Sequence, residues 1–180
     1  MNIELMPNSH DLFVIQPKIH TDQRGYFLER FQHNLLQEAC GLHIDFIQQN
    51  ESLSSKNVIR GLHYQIQNTQ SKLVTVIKGS VLDVVVDLRK NSSTFANWWS
   101  IELNSEKKNS LFVPKGFAHG FGVLSNEAIF SYMVDAPYDP TSEKTILWND
   151  ASLNIDWKIS DPLVSTKDSA GVKFSDAIYF

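Results

Sequence analysis

Two short runs hold residues able to do acid–base chemistry: Arg60-Gly61-Leu62-His63-Tyr64-Gln65 and Gly116-Phe117-Ala118-His119-Gly120-Phe121. Each sets one histidine among apolar residues and glycines in strand-like sequence. An imidazole in such a place has little competing charge and little water, so it is tunable near pH 7 as a general base or a neutral donor. Either histidine alone is more readily a satisfied core residue than a catalyst. Their company points to chemistry, because Arg24, Glu29, Gln48, Asn50, Arg60, Lys72, Tyr132 and Glu143 lie in or beside otherwise apolar segments. An imidazole, a phenol and cations around one apolar cavity suit proton abstraction next to a carbonyl. The imidazole takes the proton, a cation stabilises the enolate oxygen, and an acid on the other face returns a proton.

Other chemistries lack their residues. The key histidines stand singly, with no His-x-His, so no metal is expected. Without a Gly-x-Gly-x-x-Gly, a Walker loop or a nucleophile elbow, redox cofactors, phosphoryl transfer and serine hydrolysis have no support, and no cofactor is expected. A net charge of −4 with no Lys/Arg run argues against a nucleic-acid partner. A few cations converging in a pocket would still grip a diphosphate. The single cysteine, Cys40, rules out an intrachain disulfide and points to a reducing compartment. No signal-peptide core or bilayer-length apolar stretch is present, so a cytoplasmic location and no membrane partner are expected.

The elements that must position these groups are strands. Apolar residues alternate in short runs closed by Gly, Pro, Asn, Asp or Ser, the pattern of an antiparallel sandwich or barrel, and 180 residues fit one domain over 1–180. Strands are expected at 12–15, 25–31, 44–50, 58–65, 72–77, 81–88, 98–103, 110–113, 120–124 and 129–134. Lys78-Gly79-Ser80 predicts a tight hairpin joining two central strands, with Gly79 at positive φ. Phe31, Leu35 and Ala39 have helical spacing and Gly41 is a fitting stop, so one short helix is expected near 33–40. From Pro137 to Phe180 the prolines and irregular polar stretches predict a segment that wraps the barrel.

Strand parity refines the placement. Gln48 and Asn50 share a face, as do Phe27 and Glu29, and Phe117, His119 and Phe121. Arg60 and His63 have opposite parity, so a bulge at Gly61 is required to bring both to one side. On 81–88, Asp83 and Asp87 oppose the apolar face. They either meet solvent or need partners, Asp87 with Arg89 for example. Lys72 is compatible with a plain edge-strand lysine.

Taken in order, Asp22-x-Arg24-Gly25-x-Phe27-x-Glu29-x-Phe31, Gln48-x-Asn50-x-Ser52, Arg60-Gly61-Leu62-His63-Tyr64-Gln65, Lys72-Leu73-Val74, Gly79-x-Val81-x-Asp83-Val84-x-Val86-Asp87-Leu88-Arg89, Pro114-x-Gly116-Phe117-Ala118-His119-Gly120-Phe121 and Ile155-Asp156-Trp157 form one series. It resembles the dTDP-4-dehydrorhamnose 3,5-epimerase family from about Asp22 to Asp168. The resemblance implies a mainly β, cupin-type antiparallel jelly roll, a homodimer, acting without metal or cofactor on a dTDP-linked 4-keto-6-deoxy sugar. The family inverts the carbons on either side of the 4-ketone. By position, the resemblance makes His63 the base, Tyr132 the acid, Asp168 the residue that orients His63 (Asp83 being the alternative) and Lys72 the enolate stabiliser. It places Arg24, Phe27, Glu29, Gln48, Gln49, Asn50, Arg60, Gln65, His119, Glu143 and Lys167 on the nucleotide sugar, with Tyr138 or Trp148 stacked on the base. Tyr132 is followed by Met133-Val134-Asp135 where the family usually has a lysine. An epimerase acting at carbon 3 only is therefore an alternative, and a non-catalytic sugar-binding cupin is a third reading.

Overall fold

The computed structural model describes residues 1–180. Strands β1 (Asn2–Leu5), β2 (Phe13–Gln16), β3 (Ile19–Asp22) and β4 (Gly25–Leu28) precede helix α1 (His33–Cys40). Next come β5 (Gln48–Ser55), β6 (Val58–Gln65), β7 (Lys72–Lys78), β8 (Ser80–Asp87), β9 (Trp98–Asn104), β10 (Ser110–Val113), β11 (Phe117–Val123) and β12 (Glu127–Val134). The wrap holds β13 (Glu143–Thr145), β14 (Leu163–Val164), helix α2 (Thr166–Ser169) and a 3₁₀ turn at Phe174–Asp176.

Two sheets form an antiparallel jelly-roll sandwich, one ordered β1-β2-β10-β7-β12-β5 and the other β13-β6-β11-β8-β9, with β14 added to β6 in parallel. Alternation sends Val74, Val76, Leu111 and Phe130 of the first sheet into one cluster with Val81, Val85, Phe117 and Phe121 of the second. The opposite residues are buried as well. Val84, Val86, Ile59 and Leu62 pack under Ile146, Leu153, Trp157 and Phe174 of the wrap, so β8 is covered on both faces. On the first sheet, Leu73, Phe112 and Ile15 are capped by Leu36 of α1 and by Ile44.

Gly79 turns at φ +77, as its neighbours predict, but the expected hairpin is absent. β7 pairs with β10 and β12 while β8 pairs with β9 and β11, so the turn carries the chain from one sheet to the other. A short turn between two apolar runs fixes where the chain reverses, and the Greek-key connectivity decides what each strand pairs with. α1 lies where expected, ended by Gly41 at φ +67 with its N–H on the Gln37 carbonyl at 2.8 Å. Its buried side is Leu36 with half-buried Cys40, whereas Leu35 is 37 % exposed. The wrap is more regular than its composition suggests: it adds β13 to the second sheet and supplies a second helix, α2. Glycines on β11 admit it, since a Cβ on Gly122 would come 2.7 Å from Ile159 Cδ1. The β3–β4 hairpin stands apart as its own small sheet, with Phe27 71 % exposed.

Candidate active site

A cavity of about 240 Å³ opens between the two sheets. Asn50, Lys72, Phe130 and Tyr132 line it from the first sheet, and Arg60, His63, His119 and Glu143 from the second. Ligand pockets commonly run to roughly 300–1,000 Å³, so this one suits a sugar ring, and a longer ligand must extend through the mouth.

The Gly61 bulge is present. His63 lies opposite His119 and Arg60 opposite Phe121, leaving Gly61 and Leu62 to face Gly120 alone. Gly61 has φ +125, and a Cβ there would sit 2.5 Å from the Gly120 Cα. With the extra residue in β6, Arg60 and His63 both reach the cavity.

His63 Nε2 lies 2.5 Å from Asp168 Oδ1. Asp168 is carried on α2, whose N-cap Ser165 accepts the Asp168 N–H on its hydroxyl at 3.0 Å. Burial pushes the Asp168 carboxyl up, yet the His63 and Ser165 contacts outweigh it and hold the group below its usual range. As the carboxylate accepts Nε2–H, the lone pair of the neutral ring sits on Nδ1.

Lys72 lines the cavity and makes no ion pair or side-chain hydrogen bond there. Burial pulls its ammonium down to about 8 against the opposing charges of Asp83 and Glu143. Burial also raises the Tyr132 phenol, despite Asn50 beside it, and so keeps it protonated at neutral pH. Glu143 is gripped by Lys167 and accepts the Tyr138 hydroxyl at 2.8 Å; these contacts outweigh burial and hold its carboxyl below the usual range. Arg60 donates from Nε to Ser54 Oγ at 3.0 Å, and Gln48 donates to Asn50 Oδ1 at 2.8 Å on the shared face that parity requires.

Asp83 does not contact His63. Both its oxygens lie on His119 Nε2, at 3.0 and 2.9 Å, so the alternative orienter serves the other histidine. Asp87 takes Arg89 through two oxygens, at 2.9 and 2.8 Å, the partner its neighbourhood suggested.

Several expected ligand-binding residues lie elsewhere in the chain. Gln49, of opposite parity to Gln48 and Asn50, points to the outer face of β5 and bonds Ser131. The Gln65 amide is occupied by the backbone of Asn68, Pro137 and Asp139 and pins that loop. Trp148 packs in the outer cluster and its carbonyl accepts Trp157 Nε1–H at 2.7 Å; of the two stacking candidates, Tyr138 is the one at the mouth. Arg24, Phe27 and Glu29 belong to the exposed β3–β4 hairpin region, outside the cavity, with Arg24 paired to Asp22. Two supporting residues escaped the sequence reading. Ser165-x-x-Asp168 is a legible N-cap signal, but Ser54 under Arg60 has none.

Such a cavity, with an imidazole–carboxylate pair, a phenol and an ammonium held inside an antiparallel jelly roll, defines a proton-transfer isomerase of the cupin type. No three His, Cys, Asp or Glu side chains gather as a metal ion would need. The chain belongs to the dTDP-4-dehydrorhamnose 3,5-epimerase family, whose model matches residues 8–176. It is 47 % identical over 171 residues to the dTDP-4-dehydrorhamnose 3,5-epimerase of Shigella flexneri, covering 94 % of each chain. The crystal structure of the Elizabethkingia anophelis enzyme superposes with a TM-score of 0.94 at 43 % identity, covering 99 % of both chains. The 3,5-epimerase of Legionella pneumophila, solved in complex with dTDP-4-keto-L-rhamnose, gives 0.94 at 44 % identity over 97 % of this chain and 93 % of its own.

Proposed function

We propose that this protein epimerises dTDP-4-dehydro-6-deoxy-D-glucose at carbons 3 and 5 to give dTDP-4-dehydro-L-rhamnose. The observation that carries the reading is His63 of one sheet, paired with Asp168 of α2, facing Tyr132 and Lys72 of the other sheet across a sugar-sized cavity. His63 Nδ1 takes the proton from carbon 5 or carbon 3. The C–H electron pair becomes the double bond to carbon 4, and the carbonyl pair moves onto oxygen 4, where the Lys72 ammonium stabilises it. Tyr132 then gives its proton to the opposite face and inverts the carbon. Asp168 stabilises the imidazolium that forms. Arg60 and Lys167 at the mouth suit the diphosphate, and exposed Tyr138 suits stacking on the base.

The working form is a homodimer in this reading. Arg24, Phe27 and Glu29, which the family pattern puts on the substrate, sit on a hairpin outside this chain's own cavity, and a second copy would bring them to it. Residues 1–180 form one folding unit, since the wrap completes the second sheet. The unpaired thiol of Cys40 supports a cytoplasmic setting, and no helix is long and apolar enough to cross a membrane.

The test is proton NMR of the substrate with the protein in D₂O, with His63→Ala as control. Deuterium is expected at carbons 3 and 5, with both exchanges lost by roughly 10²–10⁴-fold in the variant. Deuterium at carbon 3 alone would make it a single epimerase. No exchange at all would leave a binding protein.

A further inference from the structure

Arg60 is anchored differently from Arg24 and Arg89. In those two an aspartate takes Nε and a terminal nitrogen together, Asp22 on Arg24 and Asp87 on Arg89, so the charge is matched and the fork engaged. Arg60 lines the cavity, makes no ion pair, and gives only its Nε–H to a neutral acceptor, Ser54 Oγ, at 3.0 Å. A guanidinium carries five N–H groups in a rigid plane. The four on Nη1 and Nη2 of Arg60 have no protein acceptor. Lys167, the other cation at the mouth, is already held by Glu143.

The hydroxyl that holds Arg60 is itself fixed. Ser54 is 4 % exposed and lies on β5, the edge strand of the first sheet, whereas Arg60 is exposed on β6 of the second. Asn50 and Ser52 line the cavity, and Ser54 is the next residue of that parity on β5. The link between the two strands is pinned as well, with Lys56 N–H on the Asn126 carbonyl at 2.8 Å and Asn57 N–H on the Val123 carbonyl at 3.1 Å. A long side chain from one sheet is thus tied to a rigid point on the other. Holding it there in advance spares the ordering that a free arginine must undergo when it meets an anion.

We infer that Ser54 is a positioning residue for Arg60, gripping its Nε edge so that both terminal nitrogens stand ready as an uncancelled fork for the diphosphate of a nucleotide sugar. The assignment of that ligand rests on the function proposed above. A serine suits the task because it orients the guanidinium without matching its charge, as an aspartate would.

The experiment is calorimetric titration of dTDP into the protein, the variants Ser54→Ala and Arg60→Lys, and the double variant. Lysine keeps the charge but has neither the Nε–H nor the fork. Kd is expected to rise roughly three- to tenfold in Ser54→Ala, and to rise no further when that change is added to Arg60→Lys. A serine that only packed β5 would weaken binding equally in both backgrounds. With the keto sugar as substrate, KM in Ser54→Ala should rise by a similar factor while kcat changes far less, since Arg60 faces the diphosphate and not the reacting carbons. An unchanged Kd in Ser54→Ala, an equal rise on the Arg60→Lys background, or a parent protein that does not bind dTDP would overturn the inference. Coupled dTDP binding without deuterium exchange in the sugar would support it while the epimerase reading failed, so the two failures are distinct.

Discussion

His63–Asp168 and His119–Asp83 are the same pair of side-chain types, their histidines set opposite each other in the β6–β11 register, yet their surroundings differ. The His63 side chain is 26 % exposed and the His119 side chain 7 %. Asp168 arrives from a helix in the wrap, backed by a Ser165 cap, and its contacts hold the carboxyl below its usual range. Asp83 sits inside a strand, and burial, opposed by His119 and Lys72, raises its carboxyl. A histidine–aspartate pair is therefore not one device. Where solvent and a cap favour the carboxylate, the imidazole is suited to the base's part that the proposed function gives it; where burial dominates, the histidine is a fixed part of the cavity wall.

Asp168→Asn is the deepest cut into this contrast. It keeps the shape but offers His63 no charge to stabilise its protonated form, and kcat should fall roughly 10²–10⁴-fold, read as deuterium incorporation. The same variant alters the pH dependence of stability. Because the folded Asp168 titrates below its usual value, its contribution is complete above that value, near 3.8, and disappears as pH falls through the lower folded one. Melting temperatures below about pH 4 should therefore decline less steeply in Asp168→Asn than in the parent. An identical acid limb would show that Asp168 is not held in its charged form.

Gly61→Ala attacks the register that sets the two histidines face to face. Its Cβ would meet the Gly120 Cα at 2.5 Å in a conformation glycine favours, so urea unfolding should show a loss of about 2–4 kcal/mol. Exchange activity should drop as Arg60 and His63 lose their common side. Unchanged stability would mean the bulge can relax freely. Ser165→Ala is the finest probe, touching one pair alone. Loss of the cap should cost about 1 kcal/mol, or roughly 2–4 °C in Tm, and loosen Asp168 without affecting His119.

Much of this architecture was legible in the residues. Period-two alternation located the main strands, Gly41 ended the helix, and the opposite parity of Arg60 and His63 demanded the bulge that β6 contains. What could not be read locally was pairing. Gly79 looks like a hairpin turn whether its strands join or part, and Asp83 gives no sign in its own strand that its partner lies on β11. Gln49 and Gln65 sit inside motifs rich in site residues, but parity turns the first outward and a loop of backbone groups occupies the second. Regular structure in the wrap was hidden for a related reason, since β13 and α2 are short and take their order from the sheet they dock on.

The distance along the chain between His63 and Asp168 has a consequence in time. The two are 105 positions apart, and at roughly 5–20 residues per second a ribosome takes roughly 5–20 s to travel from one to the other. During that interval strands β7 to β12 are added to the histidine already made, and the carboxylate that would make it a base comes after all of them. A chain that ends before α2 would lack that carboxylate, so in the proposed reading activity itself reports that the last segment has docked.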